Sequence, residues 1–255
     1  MAVSLRARAI PARCSRDAVS DGSDEFARLL RTTPARLDAG RAGTRPRTSS
    51  ALDFRADHAR ARDAVQSAWS EAFREELRAL GFLFVRSAAP DKQAYLRRPD
   101  LGRALAEGEA ARIAAARVPG AVAQLVVSDG LSARAAETQL ARVWPTLVRG
   151  LARLGPLAKP VAVSHGRVAI ADRICEASGA QLAVHLIGER PGLANAESLG
   201  CYLTLRPAAG TTDADRKCIS NIHARGLMPD EVGAAIVEVC ERILRAGSSG
   251  TRVEL

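Results

Sequence analysis

The sequence has few aromatic residues and no long apolar run. Aromatic side chains make up 4% of the 255 residues, whereas hydrophobic residues of all kinds make up 47%. We therefore expect a core built mainly from aliphatic side chains. No stretch approaches the roughly 20 apolar residues that a membrane-spanning helix needs, and no apolar segment with a cleavage site opens the chain. We expect a soluble, intracellular protein.

Cysteine and histidine are too sparse and too scattered for a recognisable metal or disulfide framework. The five cysteines are odd in number, and no two of them have the C-x-x-C spacing. We expect them to stay reduced. The four histidines form no H-E-x-x-H or H-x-x-x-H pair, so a zinc site would need assembly from distant segments. His185 lies within an apolar run and is predicted to be a hydrogen-bonded core histidine.

Several catalytic motifs are also missing. The sequence contains neither G-x-G-x-x-G after its first predicted strand nor G-x-x-x-x-G-K-[ST], so the phosphate-binding glycines of common nucleotide enzymes are lacking. It has no G-x-S-x-G element for a nucleophilic serine, and no cysteine lies in a nucleophile signature. These gaps argue against a self-contained catalytic site.

Positive charge is in excess, with a formal net charge of +9. The densest basic patch comprises Arg41, Arg45 and Arg47, and no aromatic residue lies between them. A nucleic-acid partner is one interpretation of this charge. We favour a solvated or protein-contacting arm, because the patch lacks the aromatic side chains on which bases stack.

The N-terminal third of the chain has mainly helical periodicity after its first 32 residues. Residues 1–32 lack any period and are predicted to be a disordered or targeting tail. Apolar residues recur at steps of three and four across residues 51–80, which predicts a helix. A second helix is predicted at residues 101–118, with Asp100 as its N-cap. Residues 33–118 are thus predicted to form a helical N-terminal region.

Residues 119–255 alternate between short apolar runs and helical segments. This alternation predicts an α/β fold in which a mostly parallel, Rossmann-like sheet carries helices on both faces. The predicted strands are residues 121–127, 161–164, 181–187 and 201–205. The predicted helices are residues 132–154, 168–178 and 229–246.

Three loops follow predicted strands and are candidates for ligand binding. They are residues 128–130, 165–168 and 188–192, and ligands of open α/β sheets gather at the carboxyl ends of strands. Each loop contains glycine, which lets the backbone approach a ligand closely. The alternative is that these glycines only end the strands and the charges only solvate the loops.

Several longer segments resemble the small subunit of ethanolamine ammonia-lyase. They occur in the order of that family, and the likeness covers roughly residues 33–246. The segments are GRAGTRPRT at 40–48, YLRRPDLGR at 95–103, VSDGLS at 127–132, GERPGL at 188–193 and CISNI at 218–222.

The resemblance implies a subunit that holds adenosylcobalamin against a larger catalytic subunit, a TIM barrel, in a hetero-oligomer of several heterodimers. The enzyme would convert ethanolamine to acetaldehyde and ammonia by a radical mechanism. Residues 33–118 would contact the large subunit and residues 119–255 the cobalamin. The resemblance assigns cofactor contacts to Val168, Glu189 and Cys218, and no catalytic or metal-ligating residue. It places the enzyme in the cytoplasm, free or in a bacterial microcompartment.

Two alternatives remain at this point. The chain could be a Rossmann-like enzyme or regulator acting alone on a nucleotide or small acid, or a basic nucleic-acid-binding protein. Glu189 could also form only a surface ion pair with Arg190. The D-x-H-x-x-G motif of other cobalamin proteins is missing, since Asp57 and His58 are adjacent, so the resemblance implies a cofactor that keeps its own base on cobalt.

Overall fold

The computed structural model describes residues 28–29, 31–33 and 40–252. Residues 1–27 of the predicted tail, Cys14 among them, lie outside the described residues. Within these limits the fold is mixed α/β, and its centre is a six-stranded sheet. No helix in the described part of the chain is both long and apolar enough to cross a membrane.

The elements follow one another along the chain as a short hairpin, a helical segment interrupted by one strand, and then alternating strands and helices. The strands are β1 (Arg41–Ala42), β2 (Arg45–Pro46), β3 (Leu83–Arg86), β4 (Ala123–Ser128), β5 (Val161–Ser164), β6 (Leu182–Gly188), β7 (Leu199–Leu205) and β8 (Lys217–Ile222). The α-helices are α1 (Thr48–Gln66), α2 (Glu71–Ala79), α3 (Lys92–Arg97), α4 (Glu109–Ala115), α5 (Ala133–Leu151), α6 (Ile170–Ser178) and α7 (Pro229–Ala246).

The sheet has the order β3-β5-β4-β6-β7-β8. Strands β3, β5, β4 and β6 pair in parallel, whereas β7 runs antiparallel to both β6 and β8. The prediction of a mostly parallel sheet is therefore confirmed. The designation Rossmann-like stays a prediction.

Helices cover both faces of the sheet. Alternate residues of β4 point to opposite sides, as the period of two in a strand requires. Leu125 and Val127 belong to a large apolar cluster with α2, α5 and α7. Val126 belongs to a smaller cluster with α4 and α6. We call the side of the sheet that carries α4 and α6 the second face.

The helix predicted at residues 51–80 is wrong as a single element. The chain leaves helical geometry at Ser67, where ψ is 149°, and a new helix begins after Ser70. The Ser70 hydroxyl accepts a hydrogen bond from the Phe73 amide at 3.2 Å, which caps α2 in the way that serine favours. The break also turns Trp69 into the core, where it is 5% exposed.

The helix predicted at residues 101–118 is wrong for a tertiary reason. Residues 104–106 run beside the end of β3, where the Ala106 amide donates to the Arg86 carbonyl at 3.0 Å. Gly108 then adopts a left-handed conformation with φ of 79° before α4 begins. Asp100 occupies the N-cap position of a short 3-10 helix at Leu101–Arg103, but its carboxylate makes no capping hydrogen bond and pairs with Arg98 instead.

Two strands of the six-stranded sheet, and the two short strands β1 and β2, were not predicted from the sequence. Strand β3 lies within the region predicted to be helical and pairs with β5. Strand β8 contains the CISNI segment and forms the edge of the sheet. The division of the chain at residues 118 and 119 stays a prediction.

Candidate functional site

The three loops selected from the sequence do follow the carboxyl ends of neighbouring strands. Strands β4, β5 and β6 end at Ser128, Ser164 and Gly188. Because these strands are parallel neighbours, the loops that follow them meet at the same end of the sheet, beyond the carboxyl ends of the strands. The loops therefore form one cluster.

Two of the glycines in this cluster serve contacts between the loops. The Leu131 amide donates to the Gly188 carbonyl at 3.0 Å. A Cβ atom on Gly130 would lie 2.2 Å from that same carbonyl oxygen, and one on Gly188 would lie 2.0 Å from the Ser132 oxygen. No side chain fits at such distances. The glycines thus let one loop pack on the other, which differs from the predicted role of admitting a ligand.

Asp129 organises the centre of the cluster. Its carboxylate is 4% exposed and accepts a hydrogen bond from the His165 amide at 2.8 Å. Burial raises the pKa of Asp129, and the nearby Lys92 ammonium opposes this shift. His165 adopts a left-handed φ of 59°, and the bond to Asp129 supports that strained conformation.

Tyr95, from the YLRRPDLGR segment, is fully buried against the loop after β5. Its hydroxyl donates to the Gly166 carbonyl at 3.3 Å. The guanidinium of Arg167 lies 4.2 Å from its ring centroid, and the Lys92 ammonium lies 5.0 Å from it. The segment therefore fixes residues 165–167. The sequence patterns did not single out Tyr95, because its segment was interpreted only through its resemblance, and Lys92 lies outside that segment.

His185 is a core histidine, as predicted. It is fully buried in β6, and its Nε2 lies 2.6 Å from the Ser128 hydroxyl. Its Nδ1 lies 3.2 Å from the Val168 carbonyl oxygen. Desolvation lowers the pKa of His185 to about 4. A serine and a histidine in contact can form a hydrolytic pair, but both side chains here are 0% exposed and cannot reach a substrate.

A row of three side chains runs across the sheet from β6 to the edge strand β8: His185, Tyr202 and Cys218. Tyr202 of β7 pairs directly with His185 on one side and with Cys218 of β8 on the other. Directly paired residues project from the same side of a sheet. Tyr202 and Cys218 therefore lie on the second face with His185, whose ring contacts Val168.

Cys218 is exposed on this face and hydrogen-bonded to the Tyr202 hydroxyl. Desolvation raises the pKa of its thiol, and the contact with Tyr202 opposes that shift without cancelling it. A thiol with a raised pKa carries little thiolate and is a poor nucleophile. Cys218 is thus suited to packing against a ligand.

Glu189 lies one residue beyond β6, and its carboxylate joins that loop to β8. One oxygen accepts from the Ser220 hydroxyl at 2.6 Å, and the other accepts from the Ser198 hydroxyl at 2.5 Å and the Asn221 amide at 3.3 Å. The side chain lies over Gly200, where a Cβ atom would come within 2.9 Å of it. The alternative of an ion pair with Arg190 does not occur among the described contacts. A carboxylate has about four acceptor positions, so one remains for a further donor.

The structure therefore places Val168, Glu189 and Cys218 on the second face of the sheet. Val168 and Glu189 are partly exposed, and Cys218 is exposed. Among the residues described, the apolar cluster beneath α4 and α6 includes none from β7 or β8. Tyr202 is partly exposed and Cys218 is exposed, so this part of the second face is open. Its apolar side chains are Val168, Tyr202 and Cys218, and its polar rim is formed by Glu189 and Ser220.

The open face fits a large, flat ligand with an apolar body and peripheral amides. Apolar side chains can pack against the body, and the remaining acceptor position of Glu189 suits an amide donor. The residues present therefore fit a corrin. Within the described ranges, no three His, Cys, Asp or Glu side chains are grouped so that they could hold a metal ion.

Comparison with known protein families matches most of the chain to a described family. The family described as ethanolamine ammonia-lyase light chain (EutC) matches residues 23–254. The matched range includes every segment of the loop cluster and of the open face.

Proposed function

The chain belongs to the ethanolamine ammonia-lyase light chain family, and we propose that it is the small subunit of an adenosylcobalamin-dependent enzyme that converts ethanolamine to acetaldehyde and ammonia. The observation that carries this proposal is the family match, which extends over residues 23–254 of the 255-residue chain. The open face on β7 and β8 supports the cofactor part of the proposal, because its chemistry suits a corrin.

In this proposal, adenosylcobalamin supplies a carbon radical when its cobalt–carbon bond breaks homolytically. The chain's own residues hold and shield the cofactor. Val168 and Cys218 pack against its apolar body. Glu189, already positioned by Ser198 and Ser220, accepts a hydrogen bond from a peripheral amide.

We assign the binding of ethanolamine and the radical chemistry to a larger TIM-barrel partner, as the family resemblance implies. The helical segments of residues 33–118 would contact that partner. Exposed apolar side chains on α1 support this assignment, since Leu52 is 57% and Phe54 is 49% exposed. The complex would contain several such heterodimers.

The direct test is ammonia release from ethanolamine in the presence of adenosylcobalamin. The two subunits are co-expressed and purified together, and each is also purified alone. We expect turnover from the pair and none from either subunit. Turnover by this chain alone, or by the large subunit at the same rate without it, would contradict the proposal.

A further inference from the structure

The two ring nitrogens of His185 have different and fixed roles. The Val168 carbonyl can only accept a hydrogen bond, so Nδ1 must carry the proton of their 3.2 Å contact. With the ring neutral, Nε2 then has a lone pair and accepts from the Ser128 hydroxyl at 2.6 Å. The contacts thus specify one tautomer.

The Val168 carbonyl is also part of the start of α6. It accepts a second hydrogen bond, from the Ala171 amide at 3.3 Å, in the first turn of that helix. His185 lies in β6, so its Nδ1–H joins this turn to the central sheet. The Val168 backbone is therefore anchored from beneath by a side-chain hydrogen bond from His185.

His185 is not itself part of the open surface, since it is 0% exposed. It lies between Val168 above it and Tyr202, its cross-strand neighbour. Tyr202 in turn pairs with Cys218. The buried ring of His185 therefore contacts Val168 directly and lies beside Tyr202, the neighbour of Cys218. Val168 and Cys218 are two of the three candidate cofactor contacts.

We propose that His185 is a positioning residue for cobalamin, which acts by donating its Nδ1–H to the Val168 carbonyl while Ser128 holds the other ring nitrogen. This inference rests on the proposed function. Its test must therefore separate the role of His185 from the binding of cobalamin by the open face.

The test compares two amides that each replace one ring nitrogen. His185→Asn keeps a donor near the position of Nδ1, whereas His185→Gln places its amide near the position of Nε2 and loses the bond to Val168. Each variant is co-purified with the large subunit, and cyanocobalamin affinity is measured by absorbance titration. We expect a loss of about 2- to 12-fold for His185→Gln, the value of one neutral hydrogen bond. For His185→Asn we expect affinity within about 2-fold of the parent.

A merely structural role would give a different pattern. Affinity would then follow the melting temperature of each complex, whichever nitrogen is retained. Hydrogen exchange of the amides at 168–171 provides a second readout, and we expect faster exchange only in His185→Gln. Equal affinities of the two variants, or a weaker His185→Asn, would overturn the inference.

Val168→Asp distinguishes this inference from the proposed function. If Val168→Asp weakens binding and His185→Gln does not, the positioning role is wrong and the cofactor contact stands. If neither substitution changes the affinity, the positioning role of His185 and the cofactor contact of Val168 are both wrong. Should His185→Gln fail to assemble, Ser128→Ala replaces it. That variant removes the hydroxyl that holds the other ring nitrogen, so we expect weaker affinity and faster exchange at 168–171, and unchanged affinity would overturn the inference.

Discussion

Acidification should destabilise the fold through His185. The ring is fully buried, and desolvation lowers its pKa from 6.5 to about 4. In the unfolded chain the ring is exposed and takes up a proton near pH 6.5. Between these two pKa values the unfolded state therefore binds more protons than the folded state, so stability falls as the pH is lowered.

The size of this loss of stability follows from the difference of about 2.5 units between the pKa of His185 in the unfolded and in the folded chain. At about 1.4 kcal/mol per unit, His185 accounts for about 3.4 kcal/mol lost between pH 6.5 and pH 4. From pH 6.5 to pH 5 the loss is about 2 kcal/mol. Above pH 6.5 the contribution is fully present.

Urea unfolding of the purified chain, followed by the fluorescence of Trp69 and Trp144, measures this effect. Both indoles are buried in the same apolar cluster. The side chain in His185→Gln cannot titrate, so we expect this variant to be less stable than the parent at pH 7. The difference in the free energy of unfolding between the two should narrow by about 2 kcal/mol at pH 5. His58→Gln, on the exposed surface of α1, is the control. A gap that is constant from pH 7 to pH 5 would refute the assignment of a neutral, desolvated His185.

Two further substitutions test the candidate site and its support. Glu189→Ala should weaken the cobalamin affinity of the two-subunit complex by about 5- to 150-fold, the effect of removing one charged acceptor. The control Arg190→Ala, at an exposed position, should leave the affinity within about 2-fold of the parent. Equal effects of the two substitutions in an absorbance titration would contradict the contact between Glu189 and the cofactor. Asp172→Ala removes the buried carboxylate partner of Arg216, which then keeps, among the described contacts, only the exposed carboxylate of Asp213, and should cost about 3 kcal/mol in urea unfolding, the lower end for a broken buried pair. Asp230→Ala, which breaks an exposed ion pair, should cost less than about 1 kcal/mol, and a comparable cost would contradict the assignment.

The central strands could be predicted from the sequence because their signal is local. Strands β4, β5 and β6 are buried on both faces, so each appears as a continuous apolar run ended by a polar or glycine-containing loop. The loop cluster followed from the same reasoning, since the ends of parallel strands share one edge of the sheet.

The breaks in the N-terminal helices could not be predicted in this way. Residues 101–118 have helical spacing, but residues 104–106 obtain their hydrogen bonds from the end of β3. Strand β3 itself is four residues long, too short for its period to be distinguished from that of a helix. Hydrogen bonds to distant segments determine the conformation of both stretches, and the local sequence pattern does not show such bonds.

The candidate site was predictable only in part. Its loops came from strand ends, whereas Val168, Glu189 and Cys218 came from the family resemblance. The interactions that hold these residues are cross-strand contacts, such as that between Glu189 and Ser220, which are 31 positions apart. No spacing rule of a single strand or helix connects such a pair.

Cobalamin retention by the assembled subunits tests the central claim most directly. The large subunit, this chain and their complex are each incubated with adenosylcobalamin and passed through a gel-filtration column, with the cofactor followed by its visible absorbance. We expect the complex to retain stoichiometric cobalamin and each subunit alone to lose it, because our proposal places the cofactor between the open face and the partner. Equal retention by the large subunit without this chain would contradict the claim.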